Sequence, residues 1–187
     1  DLARLVGCRL SVAAELDEGA SFAESRLKSL TGSDTITARF LHKEYFDFAP
    51  THKFWISGNH KPAVKGTDMG IWRRIRLIPF TVTIPEEKKD KRLVEKLRAE
   101  MPGILNWAIA GCLRWQSEGL SVPSCVKAAT EEYRAAEDVV GQFISEATRS
   151  DGETTKSDLY THYLAWCDKC GIRSRLTSRK FNDRIIE

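Results

Sequence analysis

Two short apolar runs, each stopping on a polar residue, constrain this chain more than any other feature. Leu10, Val12, Ala13 and Ala14 lead into Glu15, and Phe54, Trp55 and Ile56 lead through Ser57-Gly58 to Asn59. Apolar runs this short, without strict polar alternation, read as strands buried in a sheet. Between them Ser21-Phe22-Ala23-Glu24 has the spacing of a capping box, with Ser at the N-cap and Glu three residues on. It predicts a short helix with Leu27 and Leu30 on one face, stopped by Gly32. Next, Ile36, Ala38 and Phe40 alternate with Thr35, Thr37 and Arg39, and Tyr45–Phe48 is a second β-rich stretch. The pair predicts a β-hairpin whose charged tip is Leu41-His42-Lys43-Glu44. Residues 60–70, with Pro62, Gly66 and Gly70, read as a loop. Ile75, Leu77 and Ile78 predict a last strand before Pro79. Strands interleaved with helices make this part an α/β sheet domain.

The character changes after Pro85. Residues 90–100 form a charged amphipathic pattern on Leu93, Val94 and Leu97. Pro102 suits a helix start, and Ile104, Trp107, Ala108, Cys112 and Trp115 continue at helical spacing to Gly119. Pro123 opens another helix carrying Val126, Ala129 and Tyr133. These aromatic stripes are expected to be core packing. Residues 138–187 read as a separate unit of three helices, marked by Val139, Val140, Phe143 and Ile144, then Leu159, Tyr163 and Trp166, then Phe181 and Ile185. Gly171 ends the second helix, and Thr177 or Ser178 caps the third. The expected division is therefore 1–85, 86–137 and 138–187.

Charge and cysteine usage narrow the function classes. Net charge is only +3, so composition alone does not announce a nucleic-acid binder. The last segment nevertheless crowds Arg173, Arg175, Arg179, Lys180 and Arg184 around the single acid Asp183. Three helices with basic residues on the last are similar to a helix-turn-helix or winged-helix domain. No apolar run approaches the roughly 18 residues of a membrane span. The five scattered cysteines and the lack of a signal peptide fit reduced thiols and a cytoplasmic protein. Cys167 and Cys170 form a lone CxxC with no second pair at ligand spacing, so no metal site is assigned; the pair reads as a helix end, with Cys167 packed and Gly171 as the cap. The chain opens without Met, in mid-pattern, and reads as part of a longer polypeptide.

Three features belong together chemically. Glu15 closes one strand, where a carboxylate at the C-terminal edge of a parallel sheet can polarise a water attacking a γ-phosphate. Asn59 closes another, where an amide can orient the same water without adding charge. Arg73 and Arg74 stand in Gly70-Ile71-Trp72-Arg73-Arg74-Ile75-Arg76, expected just before a strand that would set Arg74 and Arg76 on one face. A planar guanidinium there could reach a neighbouring subunit's triphosphate.

With these residues in order, the stretch from Arg9 to Pro85 resembles the core of superfamily 3 helicases of the phage/plasmid primase–helicase branch. Arg9–Glu15 resembles the Walker B strand, Leu27–Arg39 the B′ motif, Asn59-His60-Lys61-Pro62 sensor 1, and Gly70–Phe80 the arginine-finger region. The resemblance implies an AAA+-like sheet core, followed by helices and a C-terminal winged-helix-like domain. It implies a homo-oligomeric ring, a hexamer, with ATP and Mg²⁺ between subunits: Glu15 and Asn59 from one, Arg74 or Arg73 from the next. It implies that the hairpin tip, His42 and Lys43, grips single-stranded DNA in the channel. Arg179, Lys180 and Arg184 are the candidates for contacts to double-stranded DNA. The pattern departs from the family in one way that matters most. No GxxxxGK[ST] occurs in the 187 residues, so the phosphate-cradling loop is expected upstream. Glu15 also stands alone where many relatives carry two adjacent acids. Two readings from other classes stay open: a non-catalytic DNA-binding or replication-loading protein or a decayed helicase remnant, and a different ring ATPase.

Overall fold

The computed structural model describes residues 2–14, 17–64, 68–149 and 151–186. The chain is mixed α/β and about half helical. It divides into two compact units, one made of Asp1–Ile75 with Glu132–Glu187 and the other of Arg76–Glu131. The expected boundary at 85/86 falls inside the second unit and that at 137/138 inside the first.

In the first unit the two apolar runs do form strands, β1 (Leu10–Ala14) and β4 (Lys53–Ser57). They pair in parallel from Leu10 opposite Lys53 to Ala14 opposite Ser57. Two bonds extend the pairing toward the N-terminal ends: Lys53 N–H to the Arg9 carbonyl at 3.0 Å, and the Thr51 hydroxyl to the Cys8 carbonyl at 3.0 Å. A parallel pair needs a long crossover. Here the crossover holds helix α1 (Glu24–Leu30) and the hairpin strands β2 (Ile36–Ala38) and β3 (Phe46–Phe48). The hairpin is antiparallel, with Thr37 opposite Asp47 and their side chains bonded at 2.6 Å. Ile36 and Ala38 are buried on one face, as their alternation predicts, but β2 ends at Ala38 and Phe40, the third of that set, is exposed.

Three expectations in this unit give way. The β1–β4 sheet is not buried: Val12 is 64% exposed and Trp55 57%. Among the described residues the sheet has two strands, and no third strand takes up these side chains. The capping box does not form. Ser21 instead bridges Ala63, between bonds from Phe22 N–H to the Ala63 carbonyl (3.0 Å) and Ala63 N–H to the Ala20 carbonyl (2.8 Å). Chain pairing fixes Ser21 in extended geometry, and α1 starts later, with Ala23 at an N-cap that has no side-chain bond. The run around Ile75–Ile78 is not a strand. The short helix α2 (Met69–Trp72) ends in a turn at Arg73-Arg74, and the chain beyond is irregular.

Helices α3 (Leu93–Ala99) and α4 (Met101–Glu118) lie in the second unit, and α5 (Ser124–Glu137) runs from it into the first. Leu77 shows why its segment is no strand: its N–H bonds the Thr130 hydroxyl on α5 at 3.0 Å, and that hydroxyl donates to the Val126 carbonyl at 2.7 Å. The aromatic stripe of α4 is not core. Trp107 is 77% exposed and no α4 residue is buried. In this unit α3 touches α4, and its Leu93, Val94 and Leu97 are exposed too.

Helices α6 (Val139–Ala147), α7 (Lys156–Lys169) and α8 (Ser178–Ile186) build the strongest core. Val140, Phe143, Tyr163, Cys167 and Phe181 close it, with Tyr163 and Phe181 stacked at 4.6 Å between ring centres. Three of their termini have a clear chemical reason. Asp138 caps α6 by accepting from Gly141 N–H at 3.1 Å, and Thr155 caps α7 from Asp158 N–H at 3.1 Å. Gly171, at φ 70°, ends α7 as predicted: Gly171 N–H bonds the Asp168 carbonyl and Ile172 N–H the Cys167 carbonyl, the paired bonds of a Schellman motif.

Candidate functional site

The strand pairing positions the first pair of candidates. Glu15 lies outside the described residues, but Ala14, which precedes it, is the last residue of β1 and sits opposite Ser57. Asn59 follows Ser57 by two residues and is exposed. The two strands that end on the candidate acid and amide are therefore hydrogen-bonded neighbours running the same way. Backbone carbonyls leave the C-terminal edge of such a pair open to a ligand.

The chain beyond Asn59 is fastened firmly. The Tyr133 hydroxyl donates to the Pro62 carbonyl, and Glu137 accepts from Val64 N–H at 2.8 Å. Lys61 lies over the Tyr133 ring at 5.6 Å, and Trp72 meets that ring edge-on at 5.2 Å. Burial, with the charge of Glu137 adding to it, pushes the Tyr133 phenol far up, so it stays a neutral donor.

The arginines lie in the turn after α2 rather than on a strand. Arg74 is half-buried, its Nη1 donates to the Gly70 carbonyl, and its Nε is buried without a bond partner. Arg73 is exposed. Asp68 caps α2 at Gly70 N–H and pairs with Lys28 of α1. The bond from Lys28 and then that from Gly70 N–H hold its carboxyl below the usual carboxylate range, with the charges of Lys28 and Arg73 adding to the effect. Arg76 belongs to the second unit.

The hairpin tip is a second candidate site. His42 and Lys43 are both exposed; His42 has φ 61°, and Lys43 N–H bonds the Phe40 carbonyl at 3.0 Å. A left-handed residue at this point reverses the chain tightly. Sequence reading passed over the flanks of the tip: the Arg39 guanidinium lies over the Tyr45 ring at 4.9 Å. An arginine and an aromatic on either side of a charged turn were the available signal. Also passed over was His52, buried beside Phe54 with neither ring nitrogen bonded, and nothing in its sequence context marks it.

On the last helix, Arg179 and Lys180 are exposed in the first turn of α8. Arg184 points elsewhere: it is half-buried and pairs with Asp138 at 3.3 Å. Arg175 pairs with Asp168 on both oxygens. Cys167 is fully buried and Cys170 exposed, and burial pushes the Cys167 thiol up. Among the described residues no three His, Cys, Asp or Glu side chains converge to hold a metal. Nor is any helix among them long and apolar enough to cross a membrane.

Comparison with known proteins finds similarity to several viral proteins. A family described as "Family of unknown function (DUF5906)" matches residues 1–74. A protein of frog virus 3 (isolate Goorha) named "Putative helicase 022R" is 28% identical over 187 residues, covering 89% of this chain and 19% of that protein. A "Putative helicase" of Acanthamoeba polyphaga mimivirus is 32% identical over 161 residues, covering 75% of this chain and 17% of that protein. One of invertebrate iridescent virus 6 is 25% identical over 197 residues, covering 86% and 20%. The chain spans about a fifth of the length of these relatives. It is related by sequence to proteins that carry a helicase name.

Proposed function

We propose that these residues are part of an ATP-driven DNA helicase of the superfamily 3, primase–helicase type, working as a ring. The observation that carries this reading is the parallel pairing of β1 with β4, which puts the strand leading to Glu15 beside the strand leading to Asn59, with a hairpin in the crossover. Glu15 takes the part of the base that polarises the attacking water. Asn59 orients that water or touches the γ-phosphate. Arg74 serves the neighbouring subunit's triphosphate by exchanging its bond to the Gly70 carbonyl for a phosphate oxygen; Arg73, already exposed, is the second guanidinium. Mg²⁺ enters this reading in company with the triphosphate, and no step is routed through it. Lys43 and His42 contact the DNA strand, and Arg179 and Lys180 offer α8 to a duplex. This reading takes the phosphate-cradling loop from a longer protein, as the 187 residues themselves hold no GxxxxGK[ST].

The test uses that longer protein. Glu15→Gln removes the base while leaving the side chain's size, so ATP still binds and single-strand-stimulated hydrolysis falls by about a hundredfold or more. Hydrolysis at the wild-type rate in Glu15→Gln overturns the assignment. The 187 residues alone are expected to show no ATP turnover above background in a steady-state assay. A longer protein that binds DNA tightly yet hydrolyses no nucleotide supports the alternative, a DNA-binding or loading protein of helicase descent. Arg74 bonded to its own helix is the observation that favours this second reading.

A further inference from the structure

We propose that the hairpin tip reads the faces of bases as well as phosphates, with Tyr45 as a stacking platform held flat by Arg39, so that its ligand is an unstacked single strand of DNA. The inference rests on the reading of the hairpin as the DNA-gripping element and deepens it.

Electrostatics alone does not equip this tip. From residue 39 to residue 47 the chain carries two cations, Arg39 and Lys43, and two acids, Glu44 and Asp47. Phosphate attraction scales with the cations that neutralise the backbone, and here they are matched by carboxylates. The local surface is instead rich in apolar and aromatic groups. Leu41 is 81% exposed and Tyr45 65%, even though the Arg39 guanidinium lies over the Tyr45 ring.

The hairpin that carries the ring is braced by its own side chains. Phe40 stacks on Phe46 at 5.6 Å, and Phe46 leans on Phe48 at 6.2 Å, so an aromatic row runs from the tip along the hairpin. The Thr37–Asp47 bond fixes the strands, and the Lys43–Phe40 backbone bond fixes the turn. A guanidinium lying over a tyrosine ring restricts the ring while N–H groups it does not use there can reach a phosphate oxygen. Tyr45 thus offers a π surface whose orientation is set before the ligand arrives. Every base has a face that fits such a surface, which makes the contact tolerant of sequence. Bases in a duplex have their faces covered by their neighbours, so the platform selects for single strands.

The test measures binding of a fluorescein-labelled oligothymidine, and of a duplex of similar length, to the 187-residue chain by anisotropy across a salt series. Four proteins are compared: wild type, Tyr45→Ala, Tyr45→Phe and Lys43→Ala. Tyr45→Ala is expected to weaken single-strand binding about tenfold, with the salt slope unchanged and duplex binding unaffected. Tyr45→Phe keeps the ring and is expected to bind as wild type does. Lys43→Ala is expected to lower the salt slope by about one. If Lys43→Ala weakens binding and Tyr45→Ala does not, the platform is wrong and the hairpin reading survives. If Tyr45→Phe loses as much as Tyr45→Ala, the hydroxyl acts rather than the ring, and stacking is overturned. If the wild-type chain binds no single strand even at low salt, the platform and the hairpin reading fall together.

Discussion

Arg184 shows how one residue type divides between surface and support. Its neighbours in sequence, Arg179 and Lys180, are exposed, whereas Arg184 turns toward Asp138 at the start of α6. Position on the helix decides: Phe181 and Ile185 face the core, and Arg184 is three residues from one and adjacent to the other. Asp138 carries two duties, since it also caps α6 through Gly141 N–H. Replacing a capping Asp by Ala costs about 0.5–2 kcal/mol, and here the change also takes a carboxylate away from a half-buried guanidinium. Asp138→Ala should therefore unfold at lower urea than wild type, by more than a cap alone explains. The double variant Asp138→Ala with Arg184→Met should recover part of the loss. A midpoint equal to wild type in Asp138→Ala would remove both duties at once.

Elements whose cores are made of their own neighbours were readable in the sequence. The helices α6, α7 and α8 each show apolar residues at helical spacing, and those residues meet one another in one cluster. The hairpin was readable in part: Ile36 and Ala38 alternate with polar residues and bury on one face, whereas Phe40, beyond the end of β2, is exposed. What failed depended on distant partners. Ser21 and Glu24 had the spacing of a cap, but the pairing of residues 20–22 with Ala63 decided Ser21's geometry. Ile75–Ile78 had strand-forming residues, but a strand needs a ladder, and Leu77 found a threonine hydroxyl instead. In the candidate site, the strand ends were legible from two apolar runs, while the resting place of Arg74 depended on a short helix that no periodicity reveals. The bundle makes a pH prediction with a definite sign. Burial pushes the Tyr163 phenol from 10.0 up to about 12. The folded state therefore keeps its proton where the unfolded chain has lost it. The stabilising contribution is fully present below pH 10 and is lost as pH rises toward 12. Urea midpoints should hold steady to about pH 9 and then fall, and the fall should be shallower in Tyr163→Phe. An identical fall in Tyr163→Phe would assign the alkaline loss to other groups.

For the molecule as a whole, stability is distributed unevenly within each unit, and the distribution follows from what is buried. In the first unit, segments far apart in sequence are tied together: Pro62 and Val64 bond to Tyr133 and Glu137, and α5 continues through Asp138 into the bundle. Opening α7 there exposes Tyr163, Cys167 and Phe143 together, so its central amides exchange only when the whole core opens. In the second unit α4 is the longest helix of those described, at 18 residues, yet it buries no side chain. A helix without a buried face is held by little more than its own backbone bonds, which are marginal at about 15 residues in water. Length and protection should therefore run in opposite orders. In native-state hydrogen exchange of the 187-residue chain, amides near Tyr163 should be the slowest, and those near Trp107 should exchange orders of magnitude faster. Acrylamide should quench Trp107 and Trp115 while leaving Trp72 dark to it, since Trp72 is 4% exposed. Equal protection in α4 and α7 would mean that something covers the α4 stripe in solution, and the apolar face of that helix would then be an interface rather than a free surface.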